Sequence, residues 1–141
     1  ACTKGYATTK FGRIRHLPQT KRLYEEYGLK LLDKRWAKSQ GLGEISYLFK
    51  NGLNLAKNHP IQGVAAHTVN RSAIAIMKEF KKKDIQGVIV VQVHDELTSL
   101  VHQDHVQMAM EIVQRCMEQT TKLSVPLIAK PIVADNWGDS K

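Results

Sequence analysis

The chain is 141 residues long with a formal charge of +8 and a sequence pI near 9.6, enough for one domain with a real core but small for an enzyme handling two large substrates by itself. Two cysteines, Cys2 and Cys116, without CxxC spacing exclude a disulfide framework and point to a reducing, cytoplasmic setting. No apolar run approaches membrane-span length, the polar N-terminus has no signal-peptide character, and there is no internal repeat or low-complexity stretch.

The charge is unevenly spread. Residues 1–83 carry 17 Lys/Arg against 5 Asp/Glu, whereas residues 84–141 carry 4 against 8. The first part suits a polyanion; the second holds carboxylates able to hold cations.

Taken in order, residues 5–18 contain short β-prone pieces broken at Gly12, with Arg13 and Arg15 alternating with Ile14 and His16. This predicts a small hairpin with a basic face, either merely solvated or laid along a nucleic-acid backbone, since guanidinium forks match phosphate oxygens. Residues 20–40 place Leu23, Tyr27, Leu31 and Leu32 at helical spacing and predict one exposed amphipathic helix with a solvated charged face, ending near Gly41 and Gly43. A second helix is expected over residues 44–58, where Ile45, Leu48, Phe49 and Leu53 share a side.

Pro60 is suited to open a third helix, because its missing N–H costs nothing in a first turn. An apolar stripe runs from there to about Lys82 through Ala65, Ala66, Val69, Ala73, Ile76, Met77 and Phe80. On that reading Gln62 lies in the first turn, with Asn58 just before it. Lys81, Lys82 and Lys83 suit the negative end of the helix dipole.

Residues 88–101 are an apolar run interrupted by His94, Asp95 and Glu96. They predict two strands, the first rich in β-branched residues as a buried strand would be, with the three polar residues at the bend. Such a triplet is ordinarily a solvated turn, although it lacks the Asn-Gly or Asp-Gly signature. Functionally, two adjacent carboxylates at the lip of a sheet are suited to a hard divalent cation. A further amphipathic helix is predicted over residues 103–122 with Cys116 in the core, and a strand over residues 127–133. The order implies an α+β fold, a small antiparallel sheet packed against helices.

Four separated pieces then fall in a familiar order. They are Gly5-Tyr6 with Gly12-Arg13 and Leu17-Pro18; Asn58-His59-Pro60-Ile61-Gln62-Gly63 with Ala65-Ala66; Gln92-Val93-His94-Asp95-Glu96-Leu97; and Val125-Pro126-Leu127 with Asn136-Trp137. Together they resemble the C-terminal part of the palm of a family A DNA polymerase, the DNA polymerase I type of bacteria and many phages. The resemblance spans residues 1–141 apart from a helical insertion or linker at about 19–52, whose length suggests a phage source.

The resemblance implies the roles. Asp95 matches the motif C aspartate that helps hold two divalent ions, Mg²⁺ by preference; Glu96 matches the supporting carboxylate and His94 the residue near the primer terminus. Asn58 and Gln62 match side chains that reach the minor groove, where acceptors common to every base pair report pairing geometry. Primer-template DNA, a dNTP and the remainder of the polymerase, on the same polypeptide or another, are the implied partners. No membrane is implied, and the implied compartment is the cytoplasm of a bacterium or phage-infected cell.

There are departures. The family's other metal-binding aspartate and its fingers helix lie upstream of anything in this sequence, and Asn54 replaces an arginine a turn before Asn58. One aspartate–glutamate pair cannot clamp two ions, so the 141-residue chain is expected not to polymerise alone. Two other readings compete. One is a His-Asp metal phosphohydrolase drawing on His102 and His105, the other a non-catalytic DNA-binding module.

Overall fold

The computed structural model describes residues 1–140. They divide into two compact units, Ala1–Val64 and Ala65–Lys141. Among the described residues, four strands and four α-helices follow the order β1 (Tyr6–Thr8), β2 (Ile14–His16), α1 (Pro18–Tyr27), α2 (Lys34–Ser39), α3 (Gly43–Lys82), β3 (Gly87–Val93), β4 (Glu96–Val101) and α4 (Val106–Gln119).

In the first unit, β1 and β2 form an antiparallel hairpin with Tyr6 opposite His16 and Thr8 opposite Ile14. Gly12 takes φ +82° in its turn, a left-handed conformation that glycine adopts without steric cost. The single helix expected over residues 20–40 is three pieces. α1 stops where Gly28 turns to φ +63°, a 3₁₀ segment covers Gly28–Leu32, and Asp33 leaves the helix region to cap α2. The cap is tight: Asp33 Oδ1 accepts the Arg35 N–H at 2.8 Å and the Trp36 N–H at 3.2 Å, satisfying two of the orphan donors of the helix start. The breaks bring Leu31 and Ala37 to full burial, as is Phe49 of α3. The Ser46 hydroxyl seals the corner by donating to the Leu31 carbonyl at 2.7 Å.

Helix α3 corrects a second expectation. Pro60 does not start a helix but lies inside a single one of 40 residues, although a proline there leaves the Ala56 carbonyl without its N–H partner and costs roughly 3 kcal/mol. The unbroken ladders on both sides outweigh that loss. The boundary between the two units falls in this helix, between Val64 and Ala65.

Gly52 shows how α3 accepts α1. A Cβ there would fall on the hydroxyl of Thr20, a buried residue in the first turn of α1. Helix propensity favours Gly52→Ala by about 1 kcal/mol, but overpacking typically costs about 1–3 kcal/mol. The substitution is therefore expected to destabilise by up to about 2 kcal/mol, and adding Thr20→Ala should reverse the sign of its effect. A double-mutant cycle in urea measures both; additive effects would contradict this close approach.

In the second unit, β3 and β4 form a separate antiparallel hairpin rather than joining β1 and β2 in one sheet. Its inner face packs on a core of Ile76 and Phe80 from α3, Ile85, and Ala109, Ile112 and Cys116 from α4, with Ile89, Leu97 and Val101 against it. Two interactions tie α3 to α4. The buried Ser72 hydroxyl donates to the Cys116 carbonyl at 3.1 Å, and Arg115 pairs with Glu79 at 2.8 Å. Burial pushes the Cys116 thiol above its ordinary pKa, so it behaves as a small core hydrophobe.

Three smaller corrections complete the fold. The helix expected over residues 103–122 is a 3₁₀ turn, Gln103–His105, followed by the shorter α4. No strand forms over residues 127–133. Pro126 and Pro131 cannot donate to a ladder, and the segment is tied instead by the Ala129 N–H, which donates to Glu118 Oε1 at 3.0 Å. Finally, β3 is only half-covered: Val88 and Val90 are 47% and 46% exposed. No helix is long and apolar enough to cross a membrane among the described residues.

Candidate active-site hairpin and nucleic-acid contacts

Two places in the chain bring expected site residues to the surface, one in each unit. In the second unit, Val93 closes β3 opposite Glu96, the first residue of β4, leaving His94 and Asp95 as the two-residue turn. His94 has φ +51°. A positive φ at the first central position is the sign pattern of a type II′ turn, where glycine is the usual occupant. Histidine tolerates the left-handed region better than most residues but still stores roughly 1–2 kcal/mol there. His94→Gly is accordingly expected to stabilise the chain by about 0.5–1 kcal/mol after the extra chain entropy of glycine is subtracted. Chemical denaturation checks this, and a loss of stability would show that the turn stores no strain.

A feature of β3 decides which way the hairpin faces. Ile89 pairs with Ser99 but Val91 pairs with Thr98, so Val90 is an extra residue, a β-bulge. Directly opposed residues share a face. Before the bulge the inner face takes Gly87 and Ile89; after it the inner face takes Gln92, opposite Leu97. Gln92 accordingly reaches α3, where its Nε2 donates to Asn70 Oδ1 at 3.0 Å. The bulge thereby turns Val91 and Val93 to the outer face, where the alternation of β4 already places Thr98 and Glu96. His94, Asp95 and Glu96 are all exposed.

The sequence expectation for these residues is a hard-cation site. Two neighbouring carboxylates fit Mg²⁺ chemistry, yet among the described residues no group of three or more His, Cys, Asp or Glu side chains converges. His102 and His105, the other candidate ligands, serve the fold: His105 Nδ1 accepts the Gln86 N–H at 2.9 Å, and His102 Nδ1 accepts the Asp104 N–H at 3.4 Å.

In the first unit, Asn58 and Gln62 stand four residues apart on α3, one turn above the other, and both are exposed. They are mid-helix, not at a helix start. The same turn of α3 carries the β1–β2 hairpin. A Cβ at Gly63 would fall on the methyl of the buried Thr9, and the His59 Nε2–H donates to the Arg13 carbonyl at 3.2 Å. The Thr9 hydroxyl in turn accepts the Arg13 N–H at 3.1 Å. The Arg13 main chain is thus held against the turn of α3 that carries Asn58 and Gln62, and the Arg13 and Arg15 side chains are exposed. Sequence reading missed His59 and Thr9, whose contacts hold this arrangement; a small residue facing a glycine across two elements leaves no periodic signal.

The excess of positive charge lies in the first unit. Ala1–Val64 carries 12 Lys/Arg against 4 Asp/Glu, whereas Ala65–Lys141 carries 9 against 9. A basic body and an exposed carboxylate pair are features expected of a protein that handles nucleic-acid phosphates.

The chain belongs to DNA polymerase family A, whose family model matches residues 1–139. It is 30% identical to the thermostable DNA polymerase I of Thermus filiformis over 99% of the chain and 14% of that protein. It is 26% identical to DNA polymerase I of Pseudomonas aeruginosa over 99% of the chain and 13% of the relative. Among solved structures it is similar to the POL domain of Pol1 from M. smegmatis in complex with DNA primer-template and dNTP, with TM-score 0.63 and 26% identity over 89% of this chain and 18% of that one. The chain therefore spans roughly a seventh of the length of these polymerase I relatives.

Proposed function

We propose that this chain supplies the C-terminal part of a polymerase palm for template-directed nucleotidyl transfer in DNA replication, acting with the rest of a family A DNA polymerase and inactive by itself. The observation that carries this reading is the exposed Asp95–Glu96 pair at the tip of the β3–β4 hairpin in a chain of this family. Asp95 and Glu96 would hold Mg²⁺, completed by a carboxylate from elsewhere in the polymerase, and His94 would stand at the primer terminus. When bound, the ions supply charge stabilisation at phosphoryl oxygens and lower the pKa of an attacking hydroxyl.

The chain's own part is positioning. A two-residue turn anchored by Ile89, Leu97 and Val101 on the α3–α4 core restricts where the two carboxylates can go, and restricted placement is most of what phosphoryl transfer asks of protein groups. Asn58 and Gln62 would read minor-groove acceptors, and Arg13 and Arg15 would hold the backbone of primer-template DNA. The outer face of the hairpin, with Val88, Val90, Val93 and Leu100 exposed, is suited to cover by the remainder of the polymerase, since so much adjacent apolar surface is uncommon on a free protein. Residues 19–52 would be an insertion in the palm.

Primer extension tests the proposal. The chain alone should give none; mixed with a separately expressed upstream fragment carrying the second metal-binding aspartate and the fingers helix, it should extend a primed template with Mg²⁺ and dNTPs. Extension by the chain alone would overturn the stated division of the site. Silence from fragments shown to associate would favour a DNA-binding remnant.

A further inference from the structure

We propose that the 3₁₀–α2 corner of the first unit is a second phosphate-gripping surface, formed by Lys30, Lys34, Arg35 and Lys38 and directed at the backbone of duplex DNA. The choice of DNA as the polyanion rests on the proposed polymerase role. Read as sequence, these charges belong to the solvated face of one long amphipathic helix. The fold rearranges them onto a short, rigid corner.

Three observations carry the inference. The first is rigidity: Leu31 and Ala37, which lie between the four cations, are fully buried, and the Ser46 bond to the Leu31 carbonyl fixes the corner to α3. The second is the missing counter-charge. Asp33 is the sole acid between Tyr27 and Gly43, and its Oδ1 is committed to two backbone N–H groups of the α2 cap. Among the described residues the Lys/Arg ion pairs are Lys21–Glu25 and Arg115–Glu79, neither of which includes the four cations. The third is a conflict within α2. Lys34 and Lys38 are four apart on a six-residue helix, an arrangement in which like charges repel.

All four side chains are exposed and enter no ion pair among the described residues. Burial of Leu31 and Ala37 holds together a corner that its own electrostatics oppose. A polyanion relieves that repulsion, and counterion release from DNA phosphates supplies a sequence-independent driving force. Spread over a 3₁₀ turn and a short helix, the cluster is suited to a sugar-phosphate backbone rather than to base edges.

The test is the salt dependence of binding of the whole 141-residue chain to a fluorescent primer-template duplex. Every DNA phosphate that the protein no longer neutralises lowers the slope of log K against log salt by about 0.9. Replacing all four residues with glutamine should lower the slope by about 2–4 and weaken binding at low salt at least tenfold. Lys30→Gln and Lys38→Gln alone should each lower it by about one, which keeps the test valid if the fourfold variant does not fold. Changing the three lysines to arginine should preserve the slope. Neutralising Lys78, Lys81, Lys82 and Lys83 of the other unit removes the same charge and should alter the slope by less than about one. An unchanged slope in the corner variants, or an equal fall in the control, would overturn the proposal, as would a wild-type chain that binds DNA without salt dependence. Asp95-dependent primer extension in the reconstituted mixture does not require this corner, so that activity surviving alongside an unchanged slope would remove this surface and leave the polymerase reading standing.

Discussion

Asp95→Ala, in the chain reconstituted with the upstream polymerase fragment, is expected to lower primer extension by about three orders of magnitude, on the order of 4 kcal/mol of transition-state stabilisation. The carboxylate stands in a two-residue turn at the exposed tip of the hairpin, and it enters no ion pair among the described residues. Its removal should therefore leave stability within about 0.5 kcal/mol, as for surface substitutions generally. DNA affinity should change little, because the basic groups proposed to hold DNA lie in the other unit. Pre-steady-state extension rates, read beside thermal melts and duplex binding, separate these effects. An extension rate within tenfold of wild type would mean that Asp95 is no ion ligand. Asp95→Asn, which keeps the shape and removes the charge, should be nearly as damaging.

The second large effect is expected in the core. Phe80 is 1% exposed and lies in the cluster that joins α3, α4 and the hairpin. Its ring also sits where β3 begins: a Cβ on Gly87 would lie 3.0 Å from the Phe80 Cε2. Phe80→Ala removes a whole ring from a buried site, and such truncations cost about 3–5 kcal/mol through lost transfer energy and residual cavity. That is a large share of the roughly 5–15 kcal/mol that holds a domain folded. A urea titration should show the midpoint falling steeply, and the β3–β4 turn should lose its order with the core because Ile89, Leu97 and Val101 anchor it there. By contrast Val90→Thr, on the exposed bulge, should shift the midpoint little in this chain. Equal effects from the two substitutions would mean that the core lies elsewhere.

Much of the architecture was legible because it is local. A run of β-branched residues identifies β3, the 3.6-residue stripe through Ile76 and Phe80 identifies the end of α3, and Cys116 falls on the apolar face of α4. The family was legible too, from motifs whose order along the chain is itself the signal. Gly28 and Asp33 were readable in principle as a helix stop and an N-cap, and reading residues 20–40 as one helix passed over both.

The remainder depended on what meets what. A proline can open a helix or interrupt one, and only the ladders on either side of Pro60 decide between them. A strand requires a neighbour with free N–H and C=O groups, so residues 127–133, with two prolines at or beside them and no ladder to join, form no strand. Residue type does not reveal a bulge: Val88 to Val91 read as one uniform run, yet the extra residue at Val90 sends Gln92 to α3 and Val93 to the outer face. By itself, then, the sequence determined most of the element types and the core stripe, because those follow from chemistry within a few residues. Only the tertiary structure decided the register of the hairpin, which turns on one bulged residue, and the seating of Thr9 and Thr20 on Gly63 and Gly52 and the corner that Ser46 fixes at Leu31, which depend on contacts between segments far apart in the chain.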